Sequence, residues 1–225
     1  MKLRWGVVLL SVVSFSCAGP ARWLRPQLPP SRQGVLLEEE FSDDGWNRRW
    51  HERSIRGRTR YERRTDPAGQ AFLHARSERT ASYLALPFEF DPRDHPRLEW
   101  RWRVTRALRD ENLLQRGGSD AAARVYVMFD TGPLPWQKRL INYVWSSQLP
   151  RGTQLFSAYS NRSGIIVVRS REEIGAWQTE SRNLVEDYRA LFQEDPPVVE
   201  GIAVMTDTDN TQGTAEADFD GIVLR

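Results

Sequence analysis

The chain has 225 residues, with 32 Lys and Arg against 30 Asp and Glu, nine Trp and a single Cys. That length suits one domain with a sizeable core. The lone cysteine, at position 17, excludes an internal disulfide, a thiolate zinc centre and a cysteine nucleophile in the body of the chain.

Lys2 and Arg4 precede an apolar run from Trp5 to Phe15, followed by the small residues Ser16 to Gly19. This is the charged, apolar, small-residue order of an export signal. The run is too short for a spanning helix, which takes ~20 apolar residues. Val13-Ser14-Phe15-Ser16-Cys17 resembles the lipobox of a bacterial lipoprotein signal, and Cys17 falls where the lipidated thiol is required. The expectation is a lipoprotein signal peptide over residues 1–16 and lipidation at Cys17, with the protein exported and lipid-anchored in the cell envelope. An ordinary signal peptide cut near Ala18 is the alternative. Within the resemblance, Ala18 rather than Asp after the cysteine implies the outer membrane, facing the periplasm. Loss of Lys2 and Arg4 leaves 30 basic against 30 acidic residues, and an exported, near-neutral protein is not expected to bind nucleic acid. Residues 17–34, with Pro20, Pro26, Pro29 and Pro30, read as an extended tether. Residues 35–225 read as a single β-sandwich domain.

Within that domain, Val35 to Phe41 is predicted as a strand ended by Asp43-Asp44-Gly45. The arginines at 48, 49, 53, 56, 58, 60, 63 and 64 then form a basic stretch. It reads as a solvated strand and loop surface, with contact to anionic glycans or lipid head groups as the lesser alternative. Arg58–Arg63 and Ala71–Arg76 flank the turn Asp66-Pro67-Ala68-Gly69. Strands follow at Ala81–Phe90, Leu98–Thr105, Ala122–Phe129, Leu140–Trp145, Gln154–Tyr159, Ile165–Arg169 and around Trp177. Trp100, Trp102 and Val104 alternate with Arg101, Arg103 and Thr105, the pattern of a half-buried strand. Glu180–Phe192 has Leu184, Tyr188, Leu191 and Phe192 at helical spacing, Ser181 as a candidate N-cap, and Asp195-Pro196-Pro197 as a stop. Asp187 is expected on its solvated face, or else turned toward a site. Strands around Ile202–Met205 and Phe219–Leu224 close the chain, joined by what reads as a hairpin turn. The fold class is mainly β: a jelly-roll-like β-sandwich with one short amphipathic helix.

The connection Thr206 to Gly213 is the densest chemistry in the chain, because six of its eight residues carry short side-chain oxygens. Such residues favour tight turns; they also suit a cation or a polyhydroxylated ligand. Counted from Asp207 as an EF-hand, position six is Gln212 with Gly213 one place late, and the flanks are strands, so that motif is rejected. Asp207 and Asp209 share a side if the chain stays extended, and would repel without a positive partner. Arg124 and a divalent cation are the two candidates, and the incomplete ligand order favours an arginine clasp. Asp120 enters the strand that carries Arg124. The candidate ligand-binding residues are thus Asp120, Arg124, Asp187, Asp207, Asp209 and Asn210. His51, His74 and His95 lack metal-ligand spacing, and His74 reads as a structural histidine. There is no GxSxG elbow and no phosphate-cradling glycine loop. Trp46, Trp50, Trp136 and Trp177 lie in or near loops, where an indole face can stack on a sugar; Trp100, Trp102 and Trp145 belong to the core.

Leu98 to Val104, Ser119 to Phe129, Tyr143-Val144-Trp145, Arg182 to Tyr188, the turn Met205 to Thr211 and Gly221-Ile222 together resemble a bacterial domain-of-unknown-function family, numbered 3047. The resemblance covers about Ala71 to the C-terminus. It implies an exported β-rich protein and no particular reaction. The acidic first strand and the closing Asp-Phe-Asp-Gly-Ile are similar to jelly-roll carbohydrate-binding domains. Some of these hold a structural Ca2+ between first and last strands, which implies Glu38 or Glu40 and Asp220 as metal positions in this chain. The expected function is that of a non-catalytic envelope module binding a glycan or another envelope component. The alternatives are a carbohydrate-active hydrolase using a pair among Glu186, Asp187, Asp207 and Asp209, or a scaffold lipoprotein. If Cys17 is the mature, lipidated N-terminus, Cys17→Ser stops processing or releases the protein from the membrane fraction. Intact-mass analysis showing an unlipidated N-terminus at another residue would contradict this.

Overall fold

The computed structural model describes residues 34–171 and 174–225. The predicted signal at 1–16, Cys17 and the tether through residue 33 lie outside the described residues. Among the described residues no helix is long and apolar enough to cross a membrane.

The strands are β1 (Leu37–Glu39), β2 (His51–Arg56), β3 (Arg60–Thr65), β4 (Ala71–Glu78), β5 (Ala81–Phe90), β6 (Arg97–Arg106), β7 (Ala121–Phe129), β8 (Arg139–Ser146), β9 (Gln154–Ser157), β10 (Ser160–Ser170), β11 (Gln178–Asn183), β12 (Val199–Asp207) and β13 (Thr214–Leu224). Two helices, α1 (Trp46–Arg49) and α2 (Leu184–Phe192), and a 3-10 turn at Pro135–Gln137 complete the described elements. One six-stranded sheet has the order β11-β6-β13-β4-β3, with β1 also on β13. The second, seven-stranded, runs β2-β5-β12-β7-β8-β10-β9. All pairings are antiparallel except β8 with β10. This is the two-sheet sandwich that the alternating strands predict, with one helix more than expected.

The core between the sheets follows from period-two alternation. Trp100, Trp102 and Val104 of β6, Val125 and Val127 of β7, Tyr143 and Trp145 of β8, and Ala215, Ala217 and Phe219 of β13 all point inward. Trp102 sits edge-on to Trp100 and Trp145, with centroids 5.5 and 5.8 Å away, a preferred aromatic geometry. Trp50, expected near a loop surface, instead packs against Phe41 in this core. Its indole N–H donates to Glu39, which also binds Arg49 and the Phe41 amide.

Four sequence expectations are corrected. The helix begins at Leu184, not Glu180. Gln178–Asn183 is a strand paired to β6, and buried Glu180 accepts from Trp102 Nε1 at 3.1 Å and from Arg169. The N-cap is Asn183, which accepts from the Val185 and Glu186 amides, and not Ser181. Asp187 is not on a solvated face: it is buried, accepts from Tyr143 Oη at 2.7 Å, and pairs with Arg182. Finally, β12 and β13 lie in different sheets, so the connection between them is a crossing and not a hairpin.

Trp100 and Trp102 are 1% and 0% exposed. Truncating either to Ala should cost about 3–5 kcal/mol, the usual penalty for deleting a large buried aromatic, measured by urea denaturation. A loss below about 1 kcal/mol at both positions would show a core that does not depend on them.

Candidate functional site

The site lies on the outer face of the seven-stranded sheet. On β7, Val125 and Val127 turn into the core, so Arg124 and Tyr126 turn out. Register places Met205 of β12 beside Arg124, and Asn142 of β8 beside Tyr126. Ala81, Tyr83, Ala85, Ala203 and Met205 form an apolar patch next to Tyr126. The β9–β10 hairpin rises on one side with Tyr159 and Arg162, and the turn carrying Trp136 rises beside it. Ile55 of β2 stands on the other side. They enclose a cleft of about 120 Å³ whose lining also includes Asn142, Asp207, Asp209 and Asn210.

The floor of this cleft is fixed by charge pairing. Arg124 and Asp207 are 3% and 4% exposed, so neither charge is solvated and each depends on the other. Arg124 Nε donates to Asp207 Oδ1 at 2.8 Å, and Nη2 donates to the Ser119 carbonyl at 2.9 Å. The Ala121 amide also donates to Asp207 Oδ1. Behind this pair, fully buried Asp120 accepts from the backbone and side chains of both Asn210 and Thr211. The crossing from β12 to β13 is therefore held from within by Asp120. Tyr159 Oη lies 2.7 Å from Asn210 Oδ1 and docks the β9–β10 hairpin against the same turn.

Burial pushes the Asp207 carboxyl up to about 7 against the pull of Arg124, and the charge of Asp120 adds to the rise. Burial and then Asp120 also raise Asp209. Burial lifts the Tyr126 phenol to about 12. Burial works against the Arg124 charge, but Asp207 outweighs it and holds the guanidinium above its usual range. Lys138, at the cleft wall, is neutralised by Asp130 and Glu200 at 2.6 and 2.5 Å.

Oxygens of Asp120, Asp207 and Asp209 come within 4.8 Å of one another, the spacing a cation would need. Their chemistry fits an arginine clasp better than a metal. Both Asp120 oxygens accept hydrogen bonds from the turn, and Asp207 already faces a guanidinium. What the cleft offers is a binding surface: aromatic rings at Tyr126, Trp136 and Tyr159, amides at Asn142 and Asn210, and hydroxyls at Ser157, Ser160 and Ser163.

A family model of proteins of unknown function, DUF3047, matches residues 44–223. The chain belongs to the DUF3047 family. No curated protein matches it. Among solved structures, this DUF3047 chain is similar to a carbohydrate-binding module of the β-sandwich superfamily, at 17% identity and TM-score 0.42, covering 81% of this chain and 59% of that one. It is also similar to the family 30 carbohydrate-binding module of a Clostridium thermocellum cellulosomal cellulase, at 12% identity and TM-score 0.45, covering 79% and 91%. A third is the cellulose-induced protein Cip1, at 11% identity and TM-score 0.45, covering 84% and 96%. What the DUF3047 cleft binds is read from its own residues.

Of the residues singled out in the sequence, Asp120, Arg124, Asp207, Asp209 and Asn210 come together at this cleft, while Asp187 serves the Tyr143–Arg182 contact. Asp220 lies on the outer face of the six-stranded sheet, where its Oδ2 accepts from Arg101 and Gln70. Glu38 and Glu40 flank the acid that turns inward on β1, Glu39. His74 donates or accepts through Nδ1 to Asp218 at 2.7 Å and is buried, as a structural histidine should be. Of the loop tryptophans, Trp136 is 58% exposed. Trp177 has Arg101 and Arg103 over its ring at 4.7 and 4.8 Å, and Trp46 packs on the core. Sequence reasoning missed Tyr126 and Asn142. The alternation that put Arg124 outward also puts Tyr126 outward, and Asn142 is the polar residue in an otherwise apolar strand.

The pair has a pH dependence of definite sign. Asp207 has a folded pKa above its unfolded 3.8, so the stability that it contributes is complete below pH 3.8 and is lost as pH rises through about 7. Arg124→Ala removes the group that holds this pKa down. The variant should lose about 3–5 kcal/mol when the acid is ionised, and less at pH 5, where the stranded carboxyl takes up a proton. Equal losses in denaturation at pH 5 and pH 8.5 would contradict the clasp.

Proposed function

We propose that this protein is a non-catalytic module that binds a glycan in the cleft on the outer face of its seven-stranded sheet, and that it works from a lipid anchor at Cys17 in the cell envelope. The observation that carries the binding reading is Trp136, an exposed indole placed beside amides, hydroxyls and tyrosines over a rigid sheet floor. An indole face matches the C–H face of a sugar ring, and amides and hydroxyls match its hydroxyls. Arg124 and Asp207 fix the floor without offering their charges to the ligand. The anchor and the envelope location rest on the signal-like residues 1–16 and the lipobox around Cys17. Hydrolysis is not favoured: Asp207 is clamped by Arg124, which leaves Asp209 as the cleft-lining carboxylate able to accept from a ligand.

Affinity electrophoresis of the purified protein through gels containing soluble polysaccharides tests the reading. Retardation by at least one polymer is expected, with Trp136→Ala weakening it about tenfold or more, as for an aromatic anchor. Asn142→Ala should weaken it by a smaller factor, that of one hydrogen bond, about 1 kcal/mol. Retardation that Trp136→Ala leaves unchanged would place the ligand elsewhere, and no retardation by any polymer would remove the glycan reading.

A further inference from the structure

We infer that the glycan is acidic, its anionic groups met by Arg53, Arg56, Arg116 and Arg162 at the rim of the cleft; this deepens the glycan reading and rests on it. On the outer sheet faces Arg101, Arg103 and Arg124 are paired with Asp220, Asp218 and Asp207. The four rim arginines are not. Among the described residues, none of them forms an ion pair with an acid.

They stand on both sides of the same cleft. On the β2 side, Arg53 is registered against Tyr83 and Arg56 against Ala81, both in the apolar patch of the outer face. The charge of Arg53 reaches the Tyr83 phenol, and that of Arg56 reaches Asp209. The nearby acid Glu52 is turned away, accepting from Ser82 Oγ and Arg58. On the hairpin side, Arg162 lines the cleft and spends one N–H on the Gln137 carbonyl. Arg116 lies 5.5 Å over the Tyr159 ring and donates to the Ala158 carbonyl. These contacts orient the two guanidiniums and leave their charge uncancelled.

The acids facing the cleft do not cancel it. Asp207 is neutralised by Arg124, and Asp120 is enclosed by the turn. Asp209 remains, accepting from the Asn210 amide, and the Asp130–Lys138–Glu200 cluster at the wall holds two carboxyls on one ammonium, so at most two acid charges stand against four guanidiniums. Guanidinium forks match planar carboxylates and sulfate oxygens. Charges spread along both banks suit a polymer that carries an anionic group on successive sugars. Uronic acids and sulfated sugars share this chemistry.

The test compares matched polymers on the purified full chain. Polygalacturonate is set against its carboxyl-reduced neutral form, and dextran sulfate against dextran, by affinity electrophoresis at low and at about 0.5 M salt. At least one acidic member should bind about tenfold or more tightly than its neutral partner. That advantage should shrink at high salt and largely disappear in the rim variant Arg53→Gln/Arg162→Gln. Carboxylate and sulfate sources are distinguished by which pair shows the effect. Neutral polymers binding as well as, or better than, both acidic ones would overturn the acidic assignment and leave the glycan reading standing. So would an acidic preference that the double variant keeps. No binding to any of the four would remove the glycan reading and this inference together.

Discussion

The Asp120 and Arg124–Asp207 contacts hold the crossing between the two sheets. Strand β12 lies inside one sheet, between β5 and β7, and β13 lies inside the other, between β6 and β4. The chain passes from one to the other in six residues, Thr208 to Gly213, and buried Thr208 and half-buried Asn210 and Thr211 carry backbone polar groups out of full solvent. Such groups must be paired. Asp120 pairs the Asn210 and Thr211 amides, Thr80 accepts from the Thr208 amide, and Ser77 bonds the Thr208 hydroxyl. Arg124 then neutralises Asp207 at the end of β12. A buried pair of this kind is weak evidence for net stability but strong evidence for geometry, because removing one member strands the other. The same constraint sets the cleft: the crossing turn is one wall, and Tyr159 docks the neighbouring hairpin on it.

The outer faces of the two sheets differ in how their polar groups are used. On the six-stranded sheet, Asp218 accepts from His74 and Arg103, and Asp220 accepts from Arg101 and Gln70. Trp177 is stacked under both guanidiniums, with Phe72 at its edge. The groups there are largely consumed by one another, and cation–π contact of this kind is itself stabilising. On the seven-stranded sheet the floor is consumed in the same way, but the rim is not. Trp136 and the rim arginines keep free faces and free charge. A ligand gains most from groups that the fold has positioned without satisfying.

Much of the architecture was legible in the alternation of side chains. Trp100 and Trp102 face inward as the pattern of β6 requires, and Arg124 faces outward opposite Val125 and Val127. The acid-rich turn announced itself through its own composition, and Arg124 as its partner followed from charge. The misreadings have physical causes. Glu180 to Asn183 carries the helical pattern of its neighbours, yet buried Glu180 is drawn into sheet pairing by the Trp102 indole. The β12–β13 turn has hairpin chemistry, but side-chain oxygens serve a crossing between sheets equally well. Trp50 and Trp177 sit where loops were expected; one is drawn into the core through Glu39 and the other is covered by two arginines of β6. The cleft itself depends on sheet order, which places β8, β10 and β9 beyond β7. No local pattern encodes that Tyr159 and Arg162 would face Arg53 across it.

The claim that ligand binds on the outer face of the seven-stranded sheet is tested most directly by following indole N–H resonances during titration with a polysaccharide fragment that the protein retains. The Trp136 signal is predicted to shift with saturation while the Trp177 signal, under its two arginines, stays in place. A saturable shift at Trp177 with Trp136 unmoved would put the site on the opposite sheet and contradict that claim.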